Sequence, residues 1–263
     1  MSAKRSKPRP VVLSIAGYDP SSGAGVTADI KTIAAHGCYG ISCITALTVQ
    51  STRGVRGVVP VSARTITATL GELASDFAVS AVKIGMLGSA AAANAVAVFL
   101  KRHQFEIVVL DPVLISSSGK RLLTEKGIQV LKRELLKLAD VITPNVDEAA
   151  ALTGVLVRSS EDAQRAAQKL HELGARNVVV TGGHLKVPTD FLSLDSGARI
   201  KVLTGRKVST RSTHGTGCAF STALACNLAL GKDLARATAA AKQYVTDALK
   251  SAQFVGKGIG PVV

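Results

Sequence analysis

The sequence predicts an α/β fold in three layers, with a doubly wound, mostly parallel β-sheet between two layers of helices. Short apolar segments alternate along the chain with longer segments typical of helices, which indicates repeated strand–helix units. Hydrophobic residues make up 47% of the chain and aromatic residues only 3%. The core must therefore consist of Val, Ile, Leu and Ala, a composition typical of parallel strands covered by helices on both faces.

The length of 263 residues suits one sizeable domain. Residues 11–263 are expected to form it, and residues 1–10 are expected to be a basic, disordered arm. The four cysteines form no C-x-x-C pair and the five histidines no H-E-x-x-H, so neither structural zinc nor a disulfide framework is expected. This cysteine usage suits a reducing, cytoplasmic location. No apolar run approaches the roughly 20 residues of a membrane span.

The net charge of +14 indicates a basic surface, which attracts nucleic acid or small anionic metabolites. Lys and Arg are scattered along the chain, however, and almost no aromatic side chains are present for base stacking. Nucleic-acid binding is therefore not the expected main function.

A first strand–loop–helix unit is predicted near the N-terminus. Residues 11–16 form a buried strand, residues 19–23 have turn chemistry, and a helix is expected at 25–36. The loop fits a loose dinucleotide fingerprint, but no acidic residue occurs between Asp29 and Glu72, so NAD binding is not predicted. The P-loop pattern is absent from the sequence as well.

The second apolar run, residues 41–49, ends in Gln50. At the end of a buried parallel strand this side chain would face the crevice where α/β proteins bind ligands. Its amide donates and accepts at once, which suits a heterocycle edge. A polar residue that merely leaves a strand is the alternative, and the pattern leaves both open. A strand at 55–61 follows, and Ser62 is expected to cap the next helix.

The alternation continues with strands at 82–87 and 107–113 on either side of a helix at 90–102. Asp111 lies at the end of the second strand. The Ser-rich residues 115–119 are a candidate mobile lid, with a plain flexible loop as the alternative.

A helix at 124–137 precedes the segment in which Pro144 is expected to start another helix. Asn145 and Glu148, three positions apart, form a local helix cap or hold a hydrated Mg²⁺ beside phosphates. The local pattern favours the cap. The other expected elements are a helix at 160–173, a strand at 177–180, a hairpin of strands 190–194 and 199–203, and a helix at 232–250.

Residues 211–223 are predicted as a loop that opens into a buried helix ending at Gly231. Gly215 and Gly217 allow backbone N–H groups to point at one spot, and the helix dipole then makes an anion site. Cys218 in the first turn would lie beside that anion. The alternative is an ordinary tight turn in which Cys218 is a small buried hydrophobe.

Several rare patterns occur in one order along the chain. They are Ala16–Asp29 (AGYDPSSGAGVTAD), Thr45–Gln50 (TALTVQ), Lys83–Leu87 (KIGML), Asp111–Val113 (DPV), Thr143–Glu148 (TPNxxE), Thr181–His184 (TGGH), His214–Cys218 (HGTGC) and Gly258–Val262 (GIGPV). Together they resemble the hydroxymethylpyrimidine/phosphomethylpyrimidine kinase family of thiamine biosynthesis, a part of the ribokinase-like superfamily. The resemblance covers nearly the whole chain from about residue 11 and implies a ribokinase-like fold.

The resemblance implies a homodimeric, ATP- and Mg²⁺-dependent kinase. The family phosphorylates the hydroxymethyl group of 4-amino-5-hydroxymethyl-2-methylpyrimidine and then converts the monophosphate to the diphosphate. By the same resemblance, Gln50 binds the aminopyrimidine edge, and Asp29 binds the ring or the hydroxymethyl end. The implied positions also include Gly17, Met86, Val113 and Cys218 around the pyrimidine, Gly215 and Gly217 at the transferring phosphoryl group, Asn145 and Glu148 at the metal and its waters, and Asp111, Thr181 and Gly183 at the nucleotide.

Three positions qualify the resemblance. Many ribokinase-like enzymes have an Asp base at the position of Cys218, whose thiol is either a base with a lowered pKa or a pocket wall. Tyr18 stands where the family usually has Ser or Thr, which puts the shape of the pocket mouth in doubt. Thr181 stands where many relatives have Lys, which removes a charge partner for the ATP phosphates.

Two other functions compete with the pyrimidine kinase. A pyridoxal or pyridoxine kinase of the same fold also acts on a hydroxymethyl heteroaromatic, although Gln50 and Cys218 favour the pyrimidine enzyme. A non-catalytic binding protein would bind its ligand without releasing ADP, and its basic arm would serve a partner.

Overall fold

The computed structural model describes residues 8–183 and 185–263, and within them nine strands form one sheet. Across the sheet the strands follow the order β3-β2-β1-β4-β5-β6-β7-β8-β9. They are β1 (Val11–Tyr18), β2 (Tyr39–Ser51), β3 (Gly54–Pro60), β4 (Val79–Ile84), β5 (Val108–Leu110), β6 (Val141–Ile142), β7 (Val178–Val180), β8 (Thr189–Leu194) and β9 (Arg199–Thr204).

The sheet is mostly parallel, as predicted. The central strands, which follow the order β2-β1-β4-β5-β6-β7 across the sheet, all pair in parallel with their neighbours in that order. The antiparallel pairs β2–β3, β7–β8 and β8–β9 lie at the two edges. Short connections join these edge pairs, and a short connection allows only the antiparallel direction. The predicted hairpin of β8 and β9 is therefore confirmed.

Helices cover both faces of the sheet, which confirms the three-layer prediction. Leu13 and Ile15 of β1 pack with Ile66 on one face, while Val12, the residue before Leu13, packs with Ile33 and Phe220 on the other. This alternation follows from the two-residue period of a strand. The helices are α1 (Gly25–Ala35), α2 (Ala63–Asp76), α3 (Ala90–Arg102), α4 (Glu125–Val130), α5 (Leu136–Leu138), α6 (Val146–Thr153), α7 (Ser160–Glu172), α8 (Thr216–Ala229) and α9 (Leu234–Ser251).

The predicted helix bounds agree well with the structure. Helix α3 spans the expected residues, and Ser62 caps α2 by accepting a hydrogen bond from the N–H of Thr65. The expected helix at 124–137 consists of α4, a π-helical turn at Leu131–Leu135 and α5.

Two predicted strand bounds are wrong. Strand β5 covers only Val108–Leu110 of the expected 107–113, because Pro112 has no N–H to donate to a ladder and Val113 bonds back to Asp111. Strand β4 begins at Val79 and ends at Ile84, before the Gly85 turn.

Two helix starts also differ from expectation. Pro144 lies one residue before the N-cap of α6 rather than in its first turn, because Asn145 provides the cap. Helix α9 begins at Leu234 instead of residue 232, because the Asp233 side chain caps it by accepting the N–H of Arg236.

Part of the predicted arm, residues 1–7, lies outside the described residues, as does His184 of the TGGH motif. Residues 8–10 precede β1 without helix or strand. Among the helices of the described ranges, none combines the length and the apolar character that crossing a membrane requires.

Candidate functional site

The predicted turn at the start of α8 has the geometry of an anion site. Gly215 is the N-cap and adopts a left-handed conformation with φ 84°. A Cβ there would lie 1.8 Å from the carbonyl oxygen of Gly23, so both the backbone angle and the packing require glycine. The first intrahelical bond runs from the N–H of Ala219 to the carbonyl of Gly215. The N–H groups of residues 216–218 therefore have no acceptor within the helix.

Cys218 lies half-buried in this first turn. Burial raises the pKa of its thiol, Lys83 and the N–H of Gly25 lower it, and the charges of Asp111 and Asp29 raise it, so that the resulting pKa is about 12. Two alternatives were open for this thiol, a base with a lowered pKa or a pocket wall, and the raised pKa contradicts the first, because desolvation outweighs the helix dipole and the lysine. A thiol with this pKa keeps its proton at neutral pH and cannot serve as a base.

A buried ion pair lies beneath the turn. The Nζ of Lys83 in β4 lies 3.0 Å from each carboxylate oxygen of Asp29 in α1, and neither side chain is exposed. Asp29 also accepts hydrogen bonds from Ser14 at 2.6 Å and Thr222 at 2.8 Å. Since protein donors enclose this carboxylate, the direct contact with a ligand that the resemblance implied for Asp29 is wrong. The carboxylate instead joins β1 and β4 to α8.

Sequence reasoning missed the role of Lys83. Burial alone would lower the pKa of this ammonium, but the charges of Asp29 and Asp111 outweigh burial and raise it. The available signal was a lysine inside the apolar strand AVKIG, since a charge in such a strand requires a buried partner.

Two further buried carboxyls follow the central strands β5 and β6 in the chain, Asp111 directly after β5 and Glu148 in the first turn of α6. Asp111 follows β5, and its Oδ2 accepts a hydrogen bond of 2.9 Å from Ser221 in α8. Burial raises the pKa of Asp111 while Lys83 opposes the rise. The pKa of Glu148 is raised well above its ordinary value by burial and by the charge of Asp111. The charge of Asp111 therefore disfavours the ionised form of Glu148.

Asn145 and Glu148 form the local cap that the sequence favoured. Oε2 of Glu148 accepts the N–H of Asn145 at 2.9 Å, and Oδ1 of Asn145 accepts the N–H groups of Asp147 and Glu148, also at 2.9 Å. Within residues 8–183 and 185–263 no three His, Cys, Asp or Glu residues are grouped to hold a metal ion.

The structure brings Thr181 close to Asn145. The two residues form a parallel bridge between the ends of β6 and β7, and the N–H of Thr181 donates to the carbonyl of Pro144 at 2.8 Å. Gly183 is exposed, with open space where a Cβ would lie. Asn145, Thr181 and Gly183 thus follow the adjacent strands β6 and β7 at their C-terminal ends.

Three of the predicted pocket residues meet around a small apolar cluster. A Cβ on Gly17 would lie 2.8 Å from Sδ of Met86, so the sulfur occupies the space that the glycine leaves. Met86 packs with Ala46, and Val113 packs against the same cluster.

Gln50 bonds to a histidine that sequence reasoning did not single out. Its Nε2 lies 3.0 Å from Nε2 of His214, and that nitrogen lies 2.8 Å from Oδ2 of Asp19. The Asp19 carboxylate also accepts hydrogen bonds from Ser21 and Ala24. Burial by itself would raise the pKa of Asp19, but the hydrogen bonds from His214 and Ser21 outweigh burial and lower it. The HGTGC motif was a signal for His214, whereas Asp19 resembled an ordinary turn residue.

Gln50 and His214 line a cavity of about 340 Å³. Ser117 and Ser118, from the segment predicted as a lid or a plain loop, line part of it, and Ser118 accepts the N–H of Val55 at 3.2 Å. The lining residues are Gln50, Ser51, Thr52, Arg53, Gly54, Val55, Ser117, Ser118, Arg211, Thr213, His214, Gly258 and Ile259.

Comparisons with known proteins agree with this architecture. The family model for phosphomethylpyrimidine kinase matches residues 19–263. A hydroxymethylpyrimidine/phosphomethylpyrimidine kinase from Aquifex aeolicus is 42% identical over 248 residues, which cover 94% of this chain and 97% of the relative. A thiamine biosynthesis bifunctional protein from Geobacter sulfurreducens is 43% identical over 97% of this chain, and the chain spans about half of that longer protein, 52%.

Among solved structures, the ADP complex of Bacillus subtilis pyridoxal kinase superposes with a TM-score of 0.87 and 35% identity, over 96% of both chains. The family match extends from the Asp19 loop through the turn of Gly215 to the last residue. The chain therefore belongs to the phosphomethylpyrimidine kinase family.

Proposed function

We propose that this protein transfers a phosphoryl group from ATP to hydroxymethylpyrimidine and then to the resulting monophosphate, in thiamine biosynthesis. One observation carries the assignment. Gln50, whose amide suits a heterocycle edge, bonds to His214, and the next residue, Gly215, forms the anion-binding turn. The heterocycle and the transferring phosphoryl group can therefore be bound side by side.

The chain contributes mainly position and electrostatic stabilisation, which phosphoryl transfer requires most. The N–H groups at Gly217 and Cys218 point along α8 toward the anion and balance charge on the phosphoryl oxygens. The protonated Cys218 thiol forms part of the pocket wall. Asp29 and Lys83 fix the start of α8 through Thr222.

The carboxyls of Asp111 and Glu148 fit a divalent cation. Each has a pKa raised by burial, and the Asp111 charge adds to the rise at Glu148, so a divalent cation held by these residues would stabilise their ionised forms. Mg²⁺ would supply charge neutralisation at the phosphates when bound. Asn145, Thr181 and Gly183, at the neighbouring strand ends, are the residues we assign to the nucleotide together with Asp111.

A second candidate is pyridoxal kinase activity, which the similarity to the Bacillus subtilis enzyme favours. The two substrates differ at the edge that Gln50 would bind, because an aminopyrimidine offers an amino donor beside a ring-nitrogen acceptor. Pyridoxal lacks that pair of neighbouring groups.

The test is ADP release by the purified protein with ATP and Mg²⁺. Hydroxymethylpyrimidine, its monophosphate and pyridoxal are supplied in parallel, with Gln50→Ala as the control. Turnover of both pyrimidines that is lost in the control supports the two-step kinase. A preference for pyridoxal would assign pyridoxal kinase activity instead. If none of the three compounds leads to ADP release, a non-catalytic binding protein is favoured.

The homodimer that the resemblance implies is also part of the proposal. Leu47 and Val59 lie opposite each other on β2 and β3, Val49 follows on the same face, and all three are 47–60% exposed. Such an apolar face is typical of an interface between subunits. Light scattering measures the oligomeric state of the wild type and of Val49→Lys. The wild type is expected to be a dimer and the variant a monomer.

A further inference from the structure

We propose that His214, held by Asp19, is a positioning residue that sets which way the carboxamide of Gln50 faces, and that this orientation selects an amino-substituted ring over its oxo analogue. The inference rests on the proposed function and adds a determinant of specificity to it. The relevant hydrogen-bond donors and acceptors belong to the side chains of Asp19, His214 and Gln50.

The Asp19–His214 contact determines where the imidazole carries a proton. An ionised carboxylate accepts hydrogen bonds and cannot donate them. Nε2 of His214 lies 2.8 Å from Oδ2 of Asp19, so this nitrogen must carry the hydrogen. It then has no lone pair for a second donor, and its one hydrogen already points at Asp19. The Gln50 amide atom 3.0 Å away can therefore only be an acceptor, which shares this hydrogen in a three-centre bond.

Thr48 leads to the same conclusion from the other side of the amide. Its hydroxyl donates its single hydrogen to the carbonyl of Tyr18 at 2.9 Å. The Gln50 amide atom that lies 3.2 Å from this hydroxyl therefore has to donate. The donor from Gln50 to Thr48 and the shared hydrogen of His214 are both accommodated when Oε1 of Gln50 faces His214 and Nε2 faces Thr48. Nitrogen and oxygen of an amide are distinguished only by such networks, and this one places the oxygen toward His214.

The surroundings leave His214 little freedom to move. A Cβ on Gly23 would lie 2.2 Å from Cδ2 of the ring, so the imidazole packs directly on that glycine. The backbone of His214 bonds on both sides to the C-terminal segment, from its N–H to Gly260 and from Val262 to its carbonyl, each at 3.0 Å.

The partner of the ring is fixed as well. Asp19 is 3% exposed, and its Oδ1 accepts from the N–H and the hydroxyl of Ser21. Its Oδ2 accepts from Gly23 and Ala24 in addition to His214. The carboxylate cannot turn away without losing several donors.

The locked amide presents an acceptor and a donor to the cavity in one order. A 4-aminopyrimidine has a donor followed by a ring-nitrogen acceptor, whereas the 4-oxo analogue has an acceptor followed by an N–H donor. Only the first complements the amide in the pose that brings the hydroxymethyl group to the Gly215 turn. A free glutamine would turn over and accept either ring.

The first experiment needs no substrate. ¹⁵N NMR of the free protein, with the His214 signals assigned by their loss in His214→Asn, reports which ring nitrogen is protonated. We expect hydrogen on Nε2. A neutral imidazole with its only hydrogen on Nδ1 would overturn the proposal, whatever reaction the protein catalyses.

The second experiment measures kcat/KM for hydroxymethylpyrimidine and for its 4-oxo analogue. The wild type is expected to prefer the amino compound by on the order of 100-fold, and His214→Asn is expected to lose roughly 10-fold or more of that preference. In His214→Asn, the loss of preference should come from a higher KM for the amino compound, with little change in kcat. Thr48→Val should reduce the preference as well, while Thr48→Ser keeps it.

A double-mutant cycle separates positioning from a general structural role. If His214 acts through Gln50, the effect of His214→Asn on selectivity vanishes in the Gln50→Ala background. An equal effect in both backgrounds, or a loss of kcat alone, would overturn the proposal. If the wild type turns over neither ring, the proposed function fails, and the NMR result still decides the orientation of the imidazole.

Discussion

Lys83 Nζ lies 3.0 Å from both carboxylate oxygens of Asp29, in a place where neither side chain reaches solvent. The pair connects the fourth strand to the first helix, and Asp29 connects both to Thr222 in the helix that bears the anion-binding turn. Electrostatic interactions in this buried place therefore fix the position of the turn.

Lys83→Met is expected to destabilise the protein by about 3–5 kcal/mol, because it leaves the Asp29 carboxylate buried and uncompensated. Urea denaturation of variant and wild type measures the difference. The double variant Lys83→Met/Asp29→Asn is the control, since it removes both charges and should recover a large part of the lost stability. If the double variant lost as much free energy of unfolding as the two single variants together, the result would contradict the pairing.

Gly215→Ala is expected to lower both stability and turnover. The new Cβ would meet the Gly23 carbonyl at 1.8 Å, and φ 84° is unfavourable for alanine, a strain of about 1–3 kcal/mol before the clash is counted. Gly217→Ala is the matched control, because its Cβ position meets nothing within 4 Å and alanine favours a helix. Thermal unfolding should therefore show loss only for Gly215→Ala.

Cys218 is expected to react slowly with iodoacetamide at pH 8. A thiol with a pKa of about 12 has on the order of a thousandfold less thiolate there than an ordinary cysteine. Mass spectrometry of the labelled peptide, compared with denatured protein, measures the rate.

The same pKa predicts that Cys218→Ala keeps kcat within about tenfold of the wild type, whereas loss of a general base costs roughly 10²–10⁴-fold. The pH–rate profile should also keep its shape in this variant. A loss of a hundredfold, or a titration step that disappears with the thiol, would restore the cysteine as a base.

Glu148→Gln is expected to change how stability depends on pH. The pKa of Glu148 is raised in the folded state, so its contribution to stability is complete below the unfolded value of about 4.3 and is lost as pH rises through the folded pKa. Glutamine carries no charge and still accepts the N–H of Asn145, so the helix cap remains. The variant should therefore gain stability relative to the wild type from pH 5 to pH 8.

Denaturant unfolding at the two pH values measures that gain. Because the residue is assigned to the metal, the variant should also need more Mg²⁺ for half-maximal ADP release. A stability difference that is the same at both pH values would show that the carboxyl is not perturbed.

Local features of the site were accessible from the sequence. The Asn145–Glu148 cap depends on two residues three positions apart, and the Gly215 turn depends on a glycine, so neighbouring residues determine both. The Cys218 thiol is different. Its helix-terminal position alone predicts a lowered pKa, and the burial that reverses this prediction depends on strands and helices far away in the chain.

The sequence by itself determined the alternation of strands and helices, the mostly parallel sheet and the family, because these depend on period, composition and ordered motifs. Only the tertiary structure decided which polar side chains meet. Lys83 pairs with Asp29 across 54 positions, Gln50 with His214 across 164, and His214 with Asp19 across 195. A hydrogen bond requires contact within about 3 Å, and no local preference encodes a contact between residues so far apart in the chain.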